Sequence, residues 1–180
     1  MKKHISGLEL LALLAGIFIF SSCNLGHKRT IEISYRMKNV TQYKPSYQLA
    51  VWLEKPDSSF FKTLFVSDYL AYGGYLVAGI CDTWSQKADW DKVSKEEFDA
   101  VSGATPKPGK VHLKLESRKD QIPDGEYILC LQVHLKENIN ELYTGKVVFS
   151  GKKCHTHLTP DKRLKPSEKI IISGIEILCK

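Results

Sequence analysis

Ten residues near the start of the chain alternate between apolar and polar side chains. From Thr30 to Asn39 the apolar positions are Ile31, Ile33, Tyr35 and Met37. The positions between them are Glu32, Ser34, Arg36 and Lys38. Successive residues of a strand point to opposite faces, whereas a helix would need apolar residues three or four positions apart. The segment therefore predicts a β-strand with one face on a hydrophobic core.

Similar segments recur along the rest of the chain and are separated by turn residues. The further predicted strands are 47–54, 60–67, 111–116, 127–135, 142–149 and 169–178. Lys55-Pro56-Asp57-Ser58-Ser59 joins the first two of these as a hairpin, and Pro123-Asp124-Gly125 precedes another strand. Strands separated by turns predict an all-β fold, an antiparallel immunoglobulin-like β-sandwich.

One helical insertion interrupts the strand pattern between residues 68 and 108. Ser94 followed by Glu97 forms a capping box, which predicts a short helix over Lys95 to Val101 that ends near Gly103. A second irregular stretch, Gly151 to Lys169, is basic and contains prolines, and it predicts a long hairpin loop.

The N-terminus has the pattern of a bacterial lipoprotein leader. A basic start at Met1-Lys2-Lys3 precedes an apolar run over 8–20 and the small residues Ser21-Ser22 before Cys23. The apolar run is short for a membrane span. We expect a signal peptide over 1–22, a lipid-anchored tether over 23–29 beginning at the lipidated Cys23, and one sandwich domain over 30–180. The protein would then lie on the periplasmic side of the inner or outer membrane.

Charge and motif content exclude several classes of function. The formal net charge of +6 falls to +5 when the predicted leader is removed with Lys2, Lys3 and Glu9, and this modest excess suits an anionic membrane surface or an acidic partner. The sequence has no RNA-binding motif and no zinc-finger spacing, so we expect no nucleic-acid partner. It also lacks the G-x-S-x-G, H-E-x-x-H and Walker motifs, so hydrolase or kinase chemistry is not predicted and no catalytic residue is assigned.

Four cysteines follow the predicted lipidation site, at Cys81, Cys130, Cys154 and Cys179. In an oxidising compartment they could form two disulfides in three alternative pairings, or they could stay as buried thiols. The segment Cys154-His155-Thr156-His157 places two imidazoles on one side of an extended chain, but exposed histidines are the default interpretation and no metal site is predicted. His112 and His134 are expected at the surface, on polar strand faces.

The segment Asp99-Ala100-Val101-Ser102-Gly103-Ala104-Thr105 resembles the flavinylation sequence of FMN-binding domain proteins. In those proteins a flavin transferase joins FMN to a Thr or Ser hydroxyl. The resemblance implies Thr105 as the acceptor, with Asp99, Ser102, Gly103 and Ala104 at the other matching positions. Small residues at 103 and 104 would let the transferase approach the backbone. The alternative is a helix end capped by Gly103, with no flavin.

A second resemblance covers most of the chain. The segments Pro45 to Glu54, Lys62 to Ser67, Asp99 to Gly109 and Pro123 to Tyr127 are similar to the periplasmic family called domain of unknown function 2271. That family tends to accompany flavin transferases and membrane flavoproteins. The resemblance implies a flavin transferase and a membrane redox protein as partners, and redox work outside the cytoplasm.

Two functions are consistent with these features. The first is an accessory protein of an extracytoplasmic flavin-linked redox system that carries covalent FMN on Thr105 for electron transfer. The second is a cofactor-free β-sandwich that docks to another component of the cell envelope. Five aromatic residues of the insertion could stack on a flavin or fill the end of the sandwich, and packing is the favoured interpretation. They are Tyr69, Tyr72, Tyr75, Trp84 and Trp90.

Overall fold

The protein is a sandwich of two β-sheets, which confirms the predicted all-β fold. The computed structural model describes residues 28–40, 47–136, 139–165 and 170–180. The strands in this part of the chain are β1 (Lys28–Met37), β2 (Gln48–Glu54), β3 (Phe60–Ser67), β4 (Ser102–Gly103), β5 (Gly109–Arg118), β6 (Gly125–Lys136), β7 (Ile139–Phe149), β8 (Cys154–His157), β9 (Thr159–Pro160) and β10 (Ile172–Cys179).

One sheet has the strand order β5-β1-β10-β8, and the other has the order β4-β3-β2-β6-β7-β9. Neighbouring strands are antiparallel, apart from the short parallel pair of β3 and β4. The β2–β3 hairpin forms as predicted. β4 and β5 therefore form one pair of sheet edges, and β8 and β9 form the other.

The alternation in β1 has the predicted effect. Ile31, Ile33, Tyr35 and Met37 are all buried and face the interior between the sheets. Opposite them lie alternate residues of β2, namely Leu49, Val51 and Leu53. Complete burial of one such side chain stabilises a fold by about 2 kcal/mol, so this period-2 pattern determines which face of each strand is inside.

The insertion is larger than the single short helix that the sequence predicts. Helix α3 (Lys95–Val101) has the predicted bounds, but α1 (Asp68–Ala71) and α2 (Asp82–Ala88) precede it, with 3-10 turns at Gly74–Leu76 and Trp90–Lys92. These pieces cover the outer face of the six-stranded sheet and enclose a second hydrophobic core. Each helix is too short to be stable alone, so this packing holds them in place.

Strand β2 is buried on both of its faces. All seven of its residues are inaccessible to solvent. Leu49, Val51 and Leu53 belong to the core between the sheets, while Ala50 and Trp52 belong to the core under the insertion. The continuous apolar run of this segment is typical of a strand covered on both sides.

The prediction of a long loop over 151–169 is wrong for its central part, and residues 166–169 lie outside the described residues. Residues 154–160 form two short strands instead, because β8 pairs with β10 in one sheet and β9 pairs with β7 in the other. The chain changes sheets at Leu158. It passes so close to β7 that a Cβ on Gly145 would lie 2.8 Å from the carbonyl oxygen of His157.

Two further sequence expectations need correction. His134 is buried beneath the insertion rather than exposed, because the outer face of the six-stranded sheet is not a solvent face. Strand β1 begins at Lys28, inside the predicted tether, and Arg29 is buried with its guanidinium over the Phe149 ring. The predicted leader and Cys23 lie outside the described residues. Among those described, no helix is long and apolar enough to cross a membrane.

Candidate functional site

Helix α3 begins at the predicted capping box. The Ser94 hydroxyl oxygen accepts a hydrogen bond from the Glu97 backbone N–H at 3.1 Å, which satisfies one of the unpaired donors of the first turn. The backbone leaves the helix at Ser102, whose φ and ψ of −80° and 143° are extended. Ser102 and Gly103 then pair with Val66 and Ser67 at the edge of the six-stranded sheet.

Gly103 is needed for close packing rather than as a helix cap. Its backbone lies in strand β4, so the alternative in which it caps α3 in a left-handed conformation is wrong. A Cβ at this position would lie 3.0 Å from Cε2 of Phe65 on the neighbouring strand. The glycine in the motif thus has a structural role that requires no flavin.

The residues after β4 cross from one sheet to the other. Residues 104–108 connect β4, at the edge of the six-stranded sheet, to β5, at the edge of the four-stranded sheet. Ala104 is exposed and Thr105 is partly exposed, while Asp99 is exposed on α3. A positive φ of 119° at Gly109 lets the chain turn into β5. Ser102 to Thr105 thus form one continuous stretch along β4 and the segment after it, whereas Asp99 lies in helix α3.

A cleft of about 320 Å³ lies beside α3, between the two sheets. Ile31, Leu64 and Leu115 are among the apolar side chains that line it, and Lys62 and Glu97 are among the charged ones. Thr105 does not line this cleft, because β4 carries the chain past the end of β3 and away from Leu64. The cleft therefore includes Ala100 and Val101 of the motif segment but not the predicted acceptor Thr105.

The five aromatic residues of the insertion that the sequence analysis names differ in exposure: Trp84, Trp90 and Tyr75 pack in or against the core under the insertion, whereas Tyr69 and Tyr72 are exposed. Trp84 and Trp90 are buried, and their indole N–H groups donate to the Thr63 hydroxyl oxygen and the Ala71 carbonyl oxygen at 3.0 and 3.1 Å. They pack as predicted, although they cover the outer face of a sheet rather than the end of the sandwich. Tyr69 and Tyr72 do not fill a core, so the packing interpretation is wrong for them. Together with Leu76 and Val77 they are four exposed apolar side chains between residues 69 and 77, which we call the exposed apolar patch.

A buried carboxylate that no local sequence pattern indicates links the insertion to the sheet. Glu54 is 0% exposed at the end of β2. It accepts hydrogen bonds from the Trp52 indole N–H at 2.9 Å and from the Lys87 ammonium at 2.8 Å. The Arg163 guanidinium donates to both of its carboxylate oxygens at 2.9 Å. One side chain thereby joins the sheet, helix α2 and the segment after β9.

The electrostatics of this cluster favour the ionised carboxylate. Burial by itself raises the pKa of Glu54, but hydrogen bonds from Lys87, Trp52 and Arg163 outweigh burial and lower the pKa. Asp161 also binds Arg163, at 2.9 Å, so two carboxylates face two cations. Every charge in the cluster has a partner, which is the pattern of a structural ion-pair network rather than of a catalytic site.

The Cys-His-Thr-His segment lies in β8 with its side chains on alternate faces. His155 and His157 are exposed, with ring centroids 5.1 Å apart, whereas Cys154 and Thr156 are partly buried. Within the described ranges, no group of three or more histidine, cysteine, aspartate or glutamate side chains could hold a metal ion.

The family model described as "Predicted periplasmic protein (DUF2271)" matches residues 28–165, which span the sandwich from β1 to the segment after β9. The chain belongs to the DUF2271 family. No curated protein and no solved structure matches it. The DUF2271 description gives the periplasm as the compartment and names no cofactor, substrate or partner.

Proposed function

We propose that this DUF2271 protein is a lipid-anchored periplasmic electron carrier with FMN bound covalently to Thr105. The Thr105 hydroxyl oxygen attacks the FMN phosphorus of FAD, the bond between the two phosphates breaks, and AMP leaves. The hydroxyl proton passes to a base of the flavin transferase. The product is a phosphodiester, and the flavin then supplies the redox chemistry while the protein holds it in place.

The proposal rests on the exposure of the motif, which continues into the surface segment 104–108 between β4 and β5. Thr105 is partly exposed, and its neighbour Ala104 is exposed and small. β4 and β5 fix the two ends of the crossing in different sheets. A transferase could therefore reach the hydroxyl in the folded protein, without disturbing either core. This role requires neither catalytic residues nor a substrate pocket in the protein itself.

The charges around the crossing suit the proposed product. A phosphodiester carries one negative charge, and Lys107 and Lys110 are exposed on the same stretch of chain. Opposite charges at a solvated surface attract one another weakly, so the lysines would orient the phosphate rather than hold it tightly. Lipidation of Cys23 would keep the carrier near a membrane redox protein, its proposed electron partner.

The experiment is co-expression of the full chain with a flavin transferase, followed by a denaturing gel viewed under ultraviolet light. We expect a fluorescent wild-type band, a dark band for Thr105→Ala, and a fluorescent band for Thr105→Ser, which keeps a hydroxyl. Ser102→Ala should remain fluorescent and serves as the control for a general disturbance of the loop. Fluorescence that survives in Thr105→Ala would refute Thr105 as the acceptor.

A cofactor-free docking module is the second candidate, and the exposed apolar patch favours it. Tyr72 and Leu76 are 74% and 75% exposed, which is unusual for large apolar side chains so close together in the chain. A dark wild-type band, obtained with a transferase that labels a known acceptor in the same cells, would refute the carrier and leave the docking module as the function.

A further inference from the structure

Two cysteines face each other across a pair of strands. In the antiparallel pairing of β8 with β10, Cys154 lies directly opposite Cys179. Directly opposed residues of antiparallel strands have Cα atoms about 4.5–5.5 Å apart, and disulfides need a separation of about 4.4–6.8 Å. Opposed residues also point to the same face of the sheet, so both side chains are directed to the interior.

Both cysteines are thiols in the structure, and Cys154 packs against the core that contains Cys179. Burial, with a smaller contribution from the neighbouring Cys154, raises the pKa of the Cys179 thiol. Cys179 is 1% exposed, whereas Cys154 is partly exposed at the edge of the sheet. The pair therefore has one sulfur that an external reagent can reach and one that it cannot.

The other two cysteines of the described part are turned toward different groups. The Cys81 sulfur lies 3.8 Å from the Gln48 carbonyl oxygen and 3.9 Å from the Gln132 carbonyl oxygen. The Cys130 sulfur lies 3.7 Å from the Arg163 guanidinium. Both are completely buried under the insertion, so an oxidant could not reach them in the folded protein.

We propose that Cys154 and Cys179 form a disulfide in the periplasm and that Cys81 and Cys130 remain thiols. The strand register selects the Cys154–Cys179 bond, which occurs in one of the three pairings that four cysteines allow. This inference concerns a modification site different from Thr105, and it does not depend on the flavin proposal.

The reaction is thiol–disulfide exchange with an oxidant that is itself a protein disulfide. The Cys154 thiolate attacks one sulfur of the oxidant, because Cys154 is the accessible member of the pair. The resulting mixed disulfide is then attacked at the Cys154 sulfur by the Cys179 thiolate. The oxidant leaves as a dithiol, and the two protons of the original thiols are transferred to it. The atoms and electrons balance without any further reactant.

The bond would link an edge strand of the four-stranded sheet to its neighbour. β8 is an edge strand of four residues, and β10 is its neighbour in that sheet. The chain leaves β8, changes sheets and delivers Arg163 to Glu54. A covalent link at Cys154 thus fixes the start of the segment that completes the buried ion-pair cluster.

Peptide mapping tests the proposal, because trypsin places the four cysteines in four different peptides. The full chain is produced with its own leader, extracted in detergent with N-ethylmaleimide, denatured and digested without reductant. Cys154 falls in CHTHLTPDK and Cys179 in IIISGIEILCK. We expect these two peptides as one linked species that is two hydrogens lighter than their sum and disappears on reduction. The Cys81 and Cys130 peptides should carry the maleimide.

Matched variants make the result decisive. Cys81→Ser and Cys130→Ser should keep the linked species, whereas Cys154→Ser and Cys179→Ser should each abolish it and leave the remaining cysteine alkylated. A host periplasmic disulfide protein mapped in the same extract shows that the compartment is oxidising. Four alkylated cysteines in such an extract, or a link that includes Cys81 or Cys130, would overturn the proposal.

Discussion

Replacing Glu54 by glutamine tests how the helical insertion is held on the sheet. The carboxylate accepts hydrogen bonds from Trp52, Lys87 and Arg163 at 2.8–2.9 Å. A glutamine oxygen in the Oε1 position keeps an acceptor for Trp52 and Lys87. Its NH₂ group then replaces Oε2 and turns a donor toward the Arg163 guanidinium, which is also a donor.

The expected loss is about 3 kcal/mol. Hydrogen bonds to charged groups contribute about 1.5–3 kcal/mol each, and removal of one member of a buried ion pair costs about 3–5 kcal/mol. We take the lower end because the Lys87 and Arg163 side chains keep 28% and 32% exposure, so water can partly solvate them in the variant. For a domain of this size, about 3 kcal/mol corresponds to a decrease in Tm of about 6–12 °C.

The loss should depend on pH. The pKa of Glu54 is lower in the folded protein than in the unfolded chain, where a glutamate titrates at about 4.3. A lowered folded-state pKa contributes stability above the unfolded pKa, and this contribution disappears as the pH falls through the folded-state value. The difference between wild type and Glu54→Gln should therefore be largest near pH 7 and shrink below about pH 4.

Urea unfolding followed by tryptophan fluorescence measures the effect, since Trp52, Trp84 and Trp90 are the three tryptophans of the chain and all are buried. Glu116→Gln is the matched control. Glu116 pairs with Lys28 and Lys114 at the surface, so its replacement should leave the midpoint unchanged within error. A loss below about 1 kcal/mol for Glu54→Gln, or a difference that persists unchanged to pH 3, would refute the reasoning.

Two glycine substitutions test the close approaches in the fold. Gly145→Ala should destabilise the protein by about 2–3 kcal/mol, because the new Cβ would meet Leu158 at 2.7 Å and the His157 backbone oxygen at 2.8 Å. Exposed Ser150→Ala is the control in the same urea titration, and equal midpoints for the two variants would contradict the expectation. Gly103→Ala should cost about 1 kcal/mol, because the group it meets at 3.0 Å is the partly buried Phe65 ring, which can shift. Adding Phe65→Leu should restore part of that loss, and additive losses in the double variant would count against the contact.

The parts of the fold that could be predicted are those whose sequence pattern involves only residues close together in the chain. The alternation from Ile31 to Met37 gave both the strand and its buried face, since the period of a strand does not depend on its partners. The start of helix α3 was predictable because the Ser94 hydroxyl accepts a hydrogen bond from the Glu97 backbone N–H within one turn.

The parts that were missed depend on residues far apart in the chain. His134 looked like a surface residue because alternation does not show that the insertion covers the outer face of β6. Strands β8 and β9 are short, polar and at sheet edges, so their pairing partners rather than their composition define them. Glu54 meets Lys87 and Arg163, which are 33 and 109 positions away, and no local pattern predicts that contact.

The burial of β2 on both faces makes its register unusually intolerant of deletions. Removing one residue near its start would move Leu49, Val51 and Leu53 out of the inner core and bring the alternate set, which includes Glu54, into it. The carboxylate would then lie among aliphatic side chains, with both of its cationic neighbours on the wrong side of the sheet. The same deletion in the exposed turn at Gly151 would only shorten a connection, so natural length variants of this domain should differ there and keep the seven residues of β2 intact.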